Sequence, residues 1–351
     1  MLLKVFLLAI VMILQPIAGS AKTLSHKEAL KAVQPPAGKI WHGTYVGKMV
    51  PHPKYGEVEV APLRGVVAYE RAVKKKVGWI TFNDDWFQTR RFPIKRVRAI
   101  RKHGAIPYVR LMMRSDPFQE HKEPLFTTKA IADGKFDRDL QKWFRGAAKF
   151  GTPLLVEYGT EVNGEWFPWN GIWSGRKKGA AQFVKAYRHI VRLARKNGAS
   201  NIVWIFHVNY LDGPQKPWNR MENYYPGDRF VDWLGISIYS TMNPYENYKV
   251  PFRRVGKTIQ RLKKMAPKKP IILSEFGTDI RNPYEPAGPW AKGALIDLIN
   301  NRWPEVIGFN WWNERWPNGD DPKRATDLRV KASPALRRIF RQKLANPRVA
   351  P

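Results

Sequence analysis

A repeated junction between an amphipathic helix and a short apolar run constrains the fold of this chain more than any other feature. In each copy, a helix-like segment ends in basic residues and a glycine, and an apolar run follows. Such segments end at Gly104, Gly151 and Gly198. Glycine after a basic last turn is a common helix stop. Counted with the three runs that follow these glycines, eight apolar runs occur, each followed by a helix-like segment or a long loop; they start at Ile40, Val77, Ala105, Pro153, Asn201, Trp233, Pro270 and Val306.

The apolar runs are continuous rather than alternating, which is typical of parallel strands that are covered on both faces. Eight strand–helix units within residues 40–346 predict an α/β fold, a single TIM (β/α)8 barrel. The alternative is an open, doubly wound sheet. It is disfavoured because no glycine-rich phosphate loop follows the first run.

The two ends of the chain are expected to lie outside the barrel. Residues 1–21 read as a signal peptide, with one lysine, an apolar core and small residues before Ala21. Residues 22–39 are predicted to be a tether or cap, and residues 347–351 a short tail. We therefore expect a secreted or periplasmic protein with no transmembrane segment in the mature chain; an uncleaved anchor is the alternative.

The chain is strongly basic, with a formal net charge of +32, and it contains no cysteine. Such a charge attracts polyanions, so an anionic polysaccharide is one candidate partner, and a solvated basic surface is the plain alternative. Nucleic acid is not expected, because no nucleic-acid-binding motif is present. We expect no cofactor and no metal, since no His-rich or His–Glu ligand spacing occurs, and a monomer.

In a TIM barrel the active site lies where strands end and the following loops begin. Several aromatic, charged and amide side chains are expected at that end of the barrel. The candidates for binding substrate are Trp86, Arg110, Asn163, Trp166, Trp169, His207, Asn209, Tyr239, Trp311 and Trp312.

Two glutamates stand out among the strand ends. Glu161 follows the fourth strand, Glu275 ends the seventh, and these strands lie across the barrel mouth from each other. Glycoside hydrolysis needs two such carboxyl groups, one of which protonates the leaving oxygen while the other acts on the opposite face of the sugar. Either glutamate alone is more often a salt-bridge partner, but their joint placement with tryptophans favours a carbohydrate active site.

Two segments resemble glycoside hydrolase family 26, the β-mannanase family. The stretch from Gly159 to Trp169, Gly-Thr-Glu-Val-Asn-Gly-Glu-Trp-Phe-Pro-Trp, is similar to the acid/base motif of that family. The stretch Tyr224–Gly235 resembles its approach to the sixth strand, and Ser274–Gly277 its nucleophile strand. The likeness spans about residues 40–345.

The resemblance implies roles for matching residues. Glu161 would be the acid/base, Glu275 the nucleophile, and Tyr239 the hydroxyl that holds the nucleophile. Trp311 would be the aromatic that stacks under the reacting sugar, and Trp166 and Trp169 would match the loop beside the acid/base.

The chain departs from the family pattern next to the acid. Thr160 stands where the family usually has His, and Glu157 where many members have Arg. By the resemblance these neighbours set the pKa of the acid and touch the sugar, so their change puts mannan in question as the substrate.

The sequence thus predicts an exported retaining glycoside hydrolase that cleaves internal β-linkages of a polysaccharide, either β-mannan-like or mixed-linkage β-glucan. The alternatives are a non-catalytic polysaccharide-binding barrel that acts in exopolysaccharide assembly and a transglycosylase with the same catalytic residues.

Overall fold

A computed structural model describes residues 24–319 and 321–350 of the chain. Its centre is a closed barrel of eight parallel strands, which confirms the predicted TIM barrel. Around the barrel the strands follow chain order, and they are β1 Trp41–Tyr45, β4 Trp79–Asp85, β5 Ile106–Met112, β6 Leu154–Tyr158, β7 Ile202–Asn209, β8 Trp233–Tyr239, β9 Ile271–Gly277 and β10 Val306–Trp312. Between the first and second barrel strands lies an added hairpin, β2 Lys48–His52 and β3 Gly56–Val60, and after the last strand lies a short pair, β11 Arg315–Trp316 and β12 Thr326–Asp327.

The helices lie outside the barrel and have the amphipathic pattern of the sequence. They are α1 His26–Val33, α2 Leu63–Val73, α3 Ile94–Lys102, α4 Thr128–Ala132, α5 Asp137–Phe150, α6 Lys177–Lys196, α7 Val255–Met265, α8 Ala287–Ile299 and α9 Pro334–Leu344. Helix α5 ends as predicted, because Gly151 adopts the left-handed conformation of a helix stop. None of the helices in the described ranges is long and apolar enough to cross a bilayer.

The first helix closes the amino-terminal end of the barrel. A capping box between Ser25 and Glu28 starts α1. Its Ala29 and Val33 are fully buried in an apolar cluster that includes residues near the beginnings of the strands, among them Trp79 and Trp233. The segment predicted as a tether or cap therefore packs on the barrel, and the predicted signal peptide lies outside the described residues.

Candidate active site

The acid predicted on the fourth barrel strand lies just after β6, where the chain turns sharply. Glu161 has a φ of +46°, a left-handed conformation that non-glycine residues adopt rarely and at a cost. Two residues earlier, Gly159 has a φ of +75°, and an added Cβ there would lie 2.2 Å from the Phe183 ring. The turn presents the Glu161 carboxyl to the barrel mouth, where the Trp166 indole donates to Oε2 at 2.6 Å.

The second predicted carboxylate lies in β9 and is held by two donors. The Tyr239 hydroxyl donates to Glu275 Oε2 at 2.8 Å. Nη2 of Arg110, from β5, lies 3.2 Å from Glu275 Oε1. The sequence predicted the contact with Tyr239, and the structure adds the ion pair with the buried guanidinium.

Burial and repulsion from nearby carboxylates raise the pKa values of the two glutamates. Burial raises the pKa of Glu161, against hydrogen bonds from Trp166 and Ser237. Burial also raises the pKa of Glu275 to about 7; Arg110 opposes the rise and the charge of Glu161 adds to it. Such a pair keeps one proton near neutral pH. Arg110 and Tyr239 stabilise charge on Glu275, whereas Glu161 makes no ion pair among the described residues. We therefore place the shared proton on Glu161.

Beneath the pair lies a third carboxylate, Glu157, which is 1% exposed. Its Oε1 accepts from Nε of Arg110 at 3.2 Å, and its Oε2 lies 2.9 Å from Nδ1 of His207. Thr160 also donates to Glu157 and is itself fully buried. Burial opposes ionisation of Glu157, but His207, Arg110 and Thr160 outweigh burial and lower its pKa to about 2.

The expectation that Thr160 and Glu157 touch the sugar is therefore not met. Both side chains are buried below the floor of the cleft and contact Arg110, which pairs with Glu275. Their departure from the family pattern changes the charges under the site rather than its surface.

A cleft of about 580 Å³ opens over the two glutamates. Seven of the side chains predicted from the sequence line it, and they are Arg110, Glu161, Trp166, Asn209, Tyr239, Glu275 and Trp312. The candidate site thus gathers residues from six barrel strands or the loops that follow them.

The other predicted substrate-binding residues have structural contacts instead. Trp311 is fully buried and donates to Leu328 O at 2.8 Å, because neighbouring strand residues point to opposite faces. Trp312 rather than Trp311 therefore lines the cleft, with its ring stacked on Tyr45 and 4.9 Å from the Arg110 guanidinium. Trp169 is likewise buried, where its indole donates to Thr160 O at 2.7 Å.

Three more predicted residues lie outside the cleft lining. Trp86 packs edge-on against Phe126. Asn163 is fully buried and donates to Asn209 O at 3.1 Å, which positions a loop. His207 is also fully buried, with Nε2 at 2.7 Å from the Ser237 hydroxyl.

The sequence reasoning missed a second pair of glutamates in the same cleft. Glu59, from β3, and Glu314, just after β10, both line the cleft. Glu59 accepts from the Tyr45 hydroxyl and from Asn83 Nδ2, the latter at 2.8 Å, and Glu314 Oε2 accepts from the Trp312 indole at 3.0 Å. Burial raises the pKa of Glu314 well above its ordinary value, and the charge and hydrogen bond of Glu59 raise it further.

One signal in the sequence could have revealed this pair. Residues 56–60, Gly-Glu-Val-Glu-Val, alternate polar and apolar as a hairpin strand does. A hairpin after the first barrel strand lies at the end of the barrel where active sites form, so its glutamates were candidates.

Ligand atoms of Glu157, His207 and Glu275 lie within 4.8 Å of one another, a spacing that could hold a metal ion. Arg110 already contacts both carboxylates of this group. Because its guanidinium supplies the positive charge there, the arrangement fits a buried ion-pair network better than a metal site.

Comparison with known proteins points to one family. Residues 129–305 match the model of glycosyl hydrolase family 26. The chain is 26% identical over 252 residues to endoglucanase H of Acetivibrio thermocellus, which covers 70% of this chain and 25% of that protein. It is 22% identical over 236 residues to a mannan endo-1,4-beta-mannosidase of Bacillus subtilis strain 168, which covers 61% of this chain and 58% of that protein. The matches thus span about a quarter and about three fifths of these relatives.

Solved structures show the same fold at low sequence identity. A family 26 β-mannanase from Bacteroides ovatus aligns with a TM-score of 0.63 and 15% identity, covering 93% of this chain and 94% of that one. An endo-β-1,4-mannanase double mutant from Cellulomonas fimi aligns with a TM-score of 0.65 and 16% identity, covering 94% and 76%. Because the family model matches just over half of this chain, the chain belongs to glycosyl hydrolase family 26.

Proposed function

We propose that this protein is an exported, retaining glycoside hydrolase that cleaves internal β-linkages of a polysaccharide. The observation that carries the proposal is the placement of Glu161 and Glu275. Both are buried, line one cleft and lie within electrostatic reach of each other, and the contacts with Arg110 and Tyr239 favour charge on Glu275. Family membership and the names of the relatives support the same reaction class.

The two glutamates have complementary roles in a double displacement. Glu275 attacks the anomeric carbon as a carboxylate, while Glu161 gives its proton to the leaving oxygen. A covalent glycosyl-enzyme forms, and Glu161, now ionised, takes a proton from the water that hydrolyses it. The Trp166 hydrogen bond steers the Glu161 carboxyl, and Tyr239 and Arg110 orient Glu275.

We propose a neutral β-linked backbone, mannan-like or mixed-linkage glucan, as the substrate. Among the described residues, the cleft lining offers no free cation: it has five glutamates, Glu59, Glu120, Glu161, Glu275 and Glu314, and its two arginines are already paired with carboxylates, Arg110 with Glu157 and Glu275 and Arg114 with Asp85. An anionic sugar would be repelled there despite the formal net charge of +32. The basic charge therefore acts away from the cleft, for example at an anionic cell surface.

The first prediction is that Glu275→Ala abolishes cleavage, because no covalent intermediate can form. Polysaccharides hydrolysed by the wild type are assayed for release of reducing ends. Added azide should restore turnover of an activated aryl glycoside and give a glycosyl azide of inverted configuration. Glu165→Ala, in the same motif as the acid but outside the cleft lining, is the control and should stay active. Undiminished activity of Glu275→Ala on every substrate would refute the proposal.

The anomeric configuration of the first product distinguishes retention from inversion. Proton NMR of a fresh digest should show the β-anomer before mutarotation. An initial α-anomer would leave a glycoside hydrolase but overturn the double displacement.

A further inference from the structure

Glu157 is buried beneath Glu161 and Glu275 and does not line the cleft. Groups from three neighbouring parts of the barrel converge on it. From β5 come the Tyr108 hydroxyl, which donates to Oε2 at 2.5 Å, and Arg110; from the turn after β6 comes Thr160; and from β7 comes His207. The cost of burying a carboxylate this deeply is large unless such partners are present.

One contact path leads from Glu157 to the nucleophile. Nε of Arg110 donates to Glu157 Oε1 at 3.2 Å and to Thr160 Oγ1 at 3.1 Å. Nη2 of the same guanidinium lies 3.2 Å from Glu275 Oε1. The planar group lies over the Trp312 ring, 4.9 Å from its centroid. Arg110 is thus fixed between two carboxylates and shares its charge between them.

A second contact path leads from Glu157 to the acid. His207 Nδ1 lies 2.9 Å from Glu157 Oε2, and Nε2 lies 2.7 Å from Ser237 Oγ. The Ser237 hydroxyl in turn hydrogen-bonds to Glu161. The imidazole therefore lies between the Glu157 carboxylate and the Ser237 hydroxyl. Glu157 holds the imidazole in that orientation.

Building on the proposed hydrolase function, we propose that Glu157 is the positioning residue that sets the charges of both catalytic glutamates. It acts through Arg110 on Glu275 and through His207 and Ser237 on Glu161. Glu157 touches no substrate and is not itself a catalytic residue.

The negative charge of Glu157 shifts the pKa values of both glutamates above it in a known direction. The other groups that face this network are Ser274 and Glu275 from β9, Tyr239 from β8 and Tyr187 from α6. As an anion, Glu157 raises the pKa values of Glu161 and Glu275. It also takes part of the charge of Arg110, which would otherwise act on Glu275 alone. Removing the negative charge should therefore lower the pKa of the nucleophile.

Three variants test this inference. Glu157→Gln keeps the size of the side chain and an oxygen for His207 but removes the charge. Glu157→Asp keeps the charge and loses one methylene. Glu70→Gln is the matched control, because Glu70 is also buried and pairs with a histidine and a cation, His103 at 3.0 Å and Lys76 at 2.8 Å, away from the cleft.

The first readout does not require turnover. The carboxyl carbons of ¹³C-labelled glutamate are titrated by NMR in each protein, and Glu275 and Glu161 are assigned from their Gln variants. Glu275 should titrate at lower pH in Glu157→Gln than in the wild type. The pH at which Glu275 titrates should be unchanged in Glu157→Asp and Glu70→Gln. An unmoved or higher Glu275 titration in Glu157→Gln would overturn the inference, even if no polysaccharide were cleaved.

The second readout is the pH dependence of kcat/KM on a polysaccharide that the wild type hydrolyses. The acid limb, which reports ionisation of the nucleophile, should move to lower pH in Glu157→Gln alone. Its kcat near neutral pH should fall about tenfold with little change in KM, because substrate contacts are intact. Equal losses at all pH values in Glu157→Gln and Glu70→Gln would mean a structural role only. Inactivity of the wild type on every glycan would count against the hydrolase and not against this inference.

Discussion

Two pairs of glutamates face the same cleft, and they differ in what lies around them. The catalytic pair, Glu161 and Glu275, has a buried arginine against one member. The pair Glu59 and Glu314 makes no ion pair among the described residues and is held by hydroxyl, amide and indole donors.

The difference shows that neighbours, not residue type, decide what a buried glutamate does. Next to Arg110 a carboxylate can stay charged and attack a sugar. Without an ion-pair partner in the described part of the chain, Glu314 has a pKa that burial and Glu59 raise well above its ordinary value, so it favours the protonated form and can serve as a hydrogen-bond donor. Such a pair suits the hydroxyl groups of a sugar bound in the cleft.

The largest expected difference between the two pairs appears when one glutamate of each pair is replaced by glutamine. Glu161→Gln removes the catalytic proton and should lower kcat on the polysaccharide about 100- to 10,000-fold. Glu314→Gln replaces a protonated acid with an amide that still donates to Glu59 and should keep kcat within about threefold. Initial rates at saturating substrate measure both. A similar loss in the two variants would mean that the second pair also takes part in the chemistry.

Removal of one supporting donor from each pair should have an intermediate effect. Arg110→Met leaves Glu157 and Glu275 without their cation and should cost about 3–5 kcal/mol of unfolding free energy. Asn83→Ala removes one neutral donor to Glu59 and should cost about 1–3 kcal/mol. Denaturant unfolding at pH 7 gives both values. Equal costs would contradict the distinction between an ion-paired and a hydrogen-bonded pair.

The smallest expected effect is a pH dependence of stability. The pKa of Glu314 is raised in the folded protein, so the folded state binds a proton that the unfolded state releases above its ordinary pKa. The stability that Glu314 contributes is present at low pH and is lost as pH rises through the folded pKa. Unfolding free energies between pH 5 and 8 should therefore fall less steeply in Glu314→Gln than in the wild type. Parallel slopes would show that Glu314 is not protonated.

The sequence predicted the barrel because its strands and helices follow local rules. Continuous apolar runs and glycine stops such as Gly151 depend on neighbouring residues alone, and all eight barrel strands lie where the runs predicted them. The positions of Glu161 and Glu275 in the cleft follow directly, since strand ends meet at one end of a barrel.

The remaining features of the site depend on contacts between residues that lie far apart in the sequence. Which of Trp311 and Trp312 points into the cleft depends on the phase of β10, and a one-residue error exchanges them. The burial of Glu157 and its pairing with His207 join β6 to β7, and the Arg110 contact with Glu275 joins β5 to β9. Short motifs cannot show such pairings between strands.

The β2–β3 hairpin offers a route by which specificity can change in evolution or by engineering. Its two strands pair with each other and with no barrel strand, yet they carry Met49 and Glu59 to the cleft. A hairpin of another length or sequence can therefore replace it without altering the strand-to-strand hydrogen bonds of the barrel, although Tyr45 and Asn83 would lose their bonds to Glu59. One wall of the cleft is thus a replaceable module, while the two glutamates proposed to perform the chemistry lie on, or directly after, strands of the barrel itself.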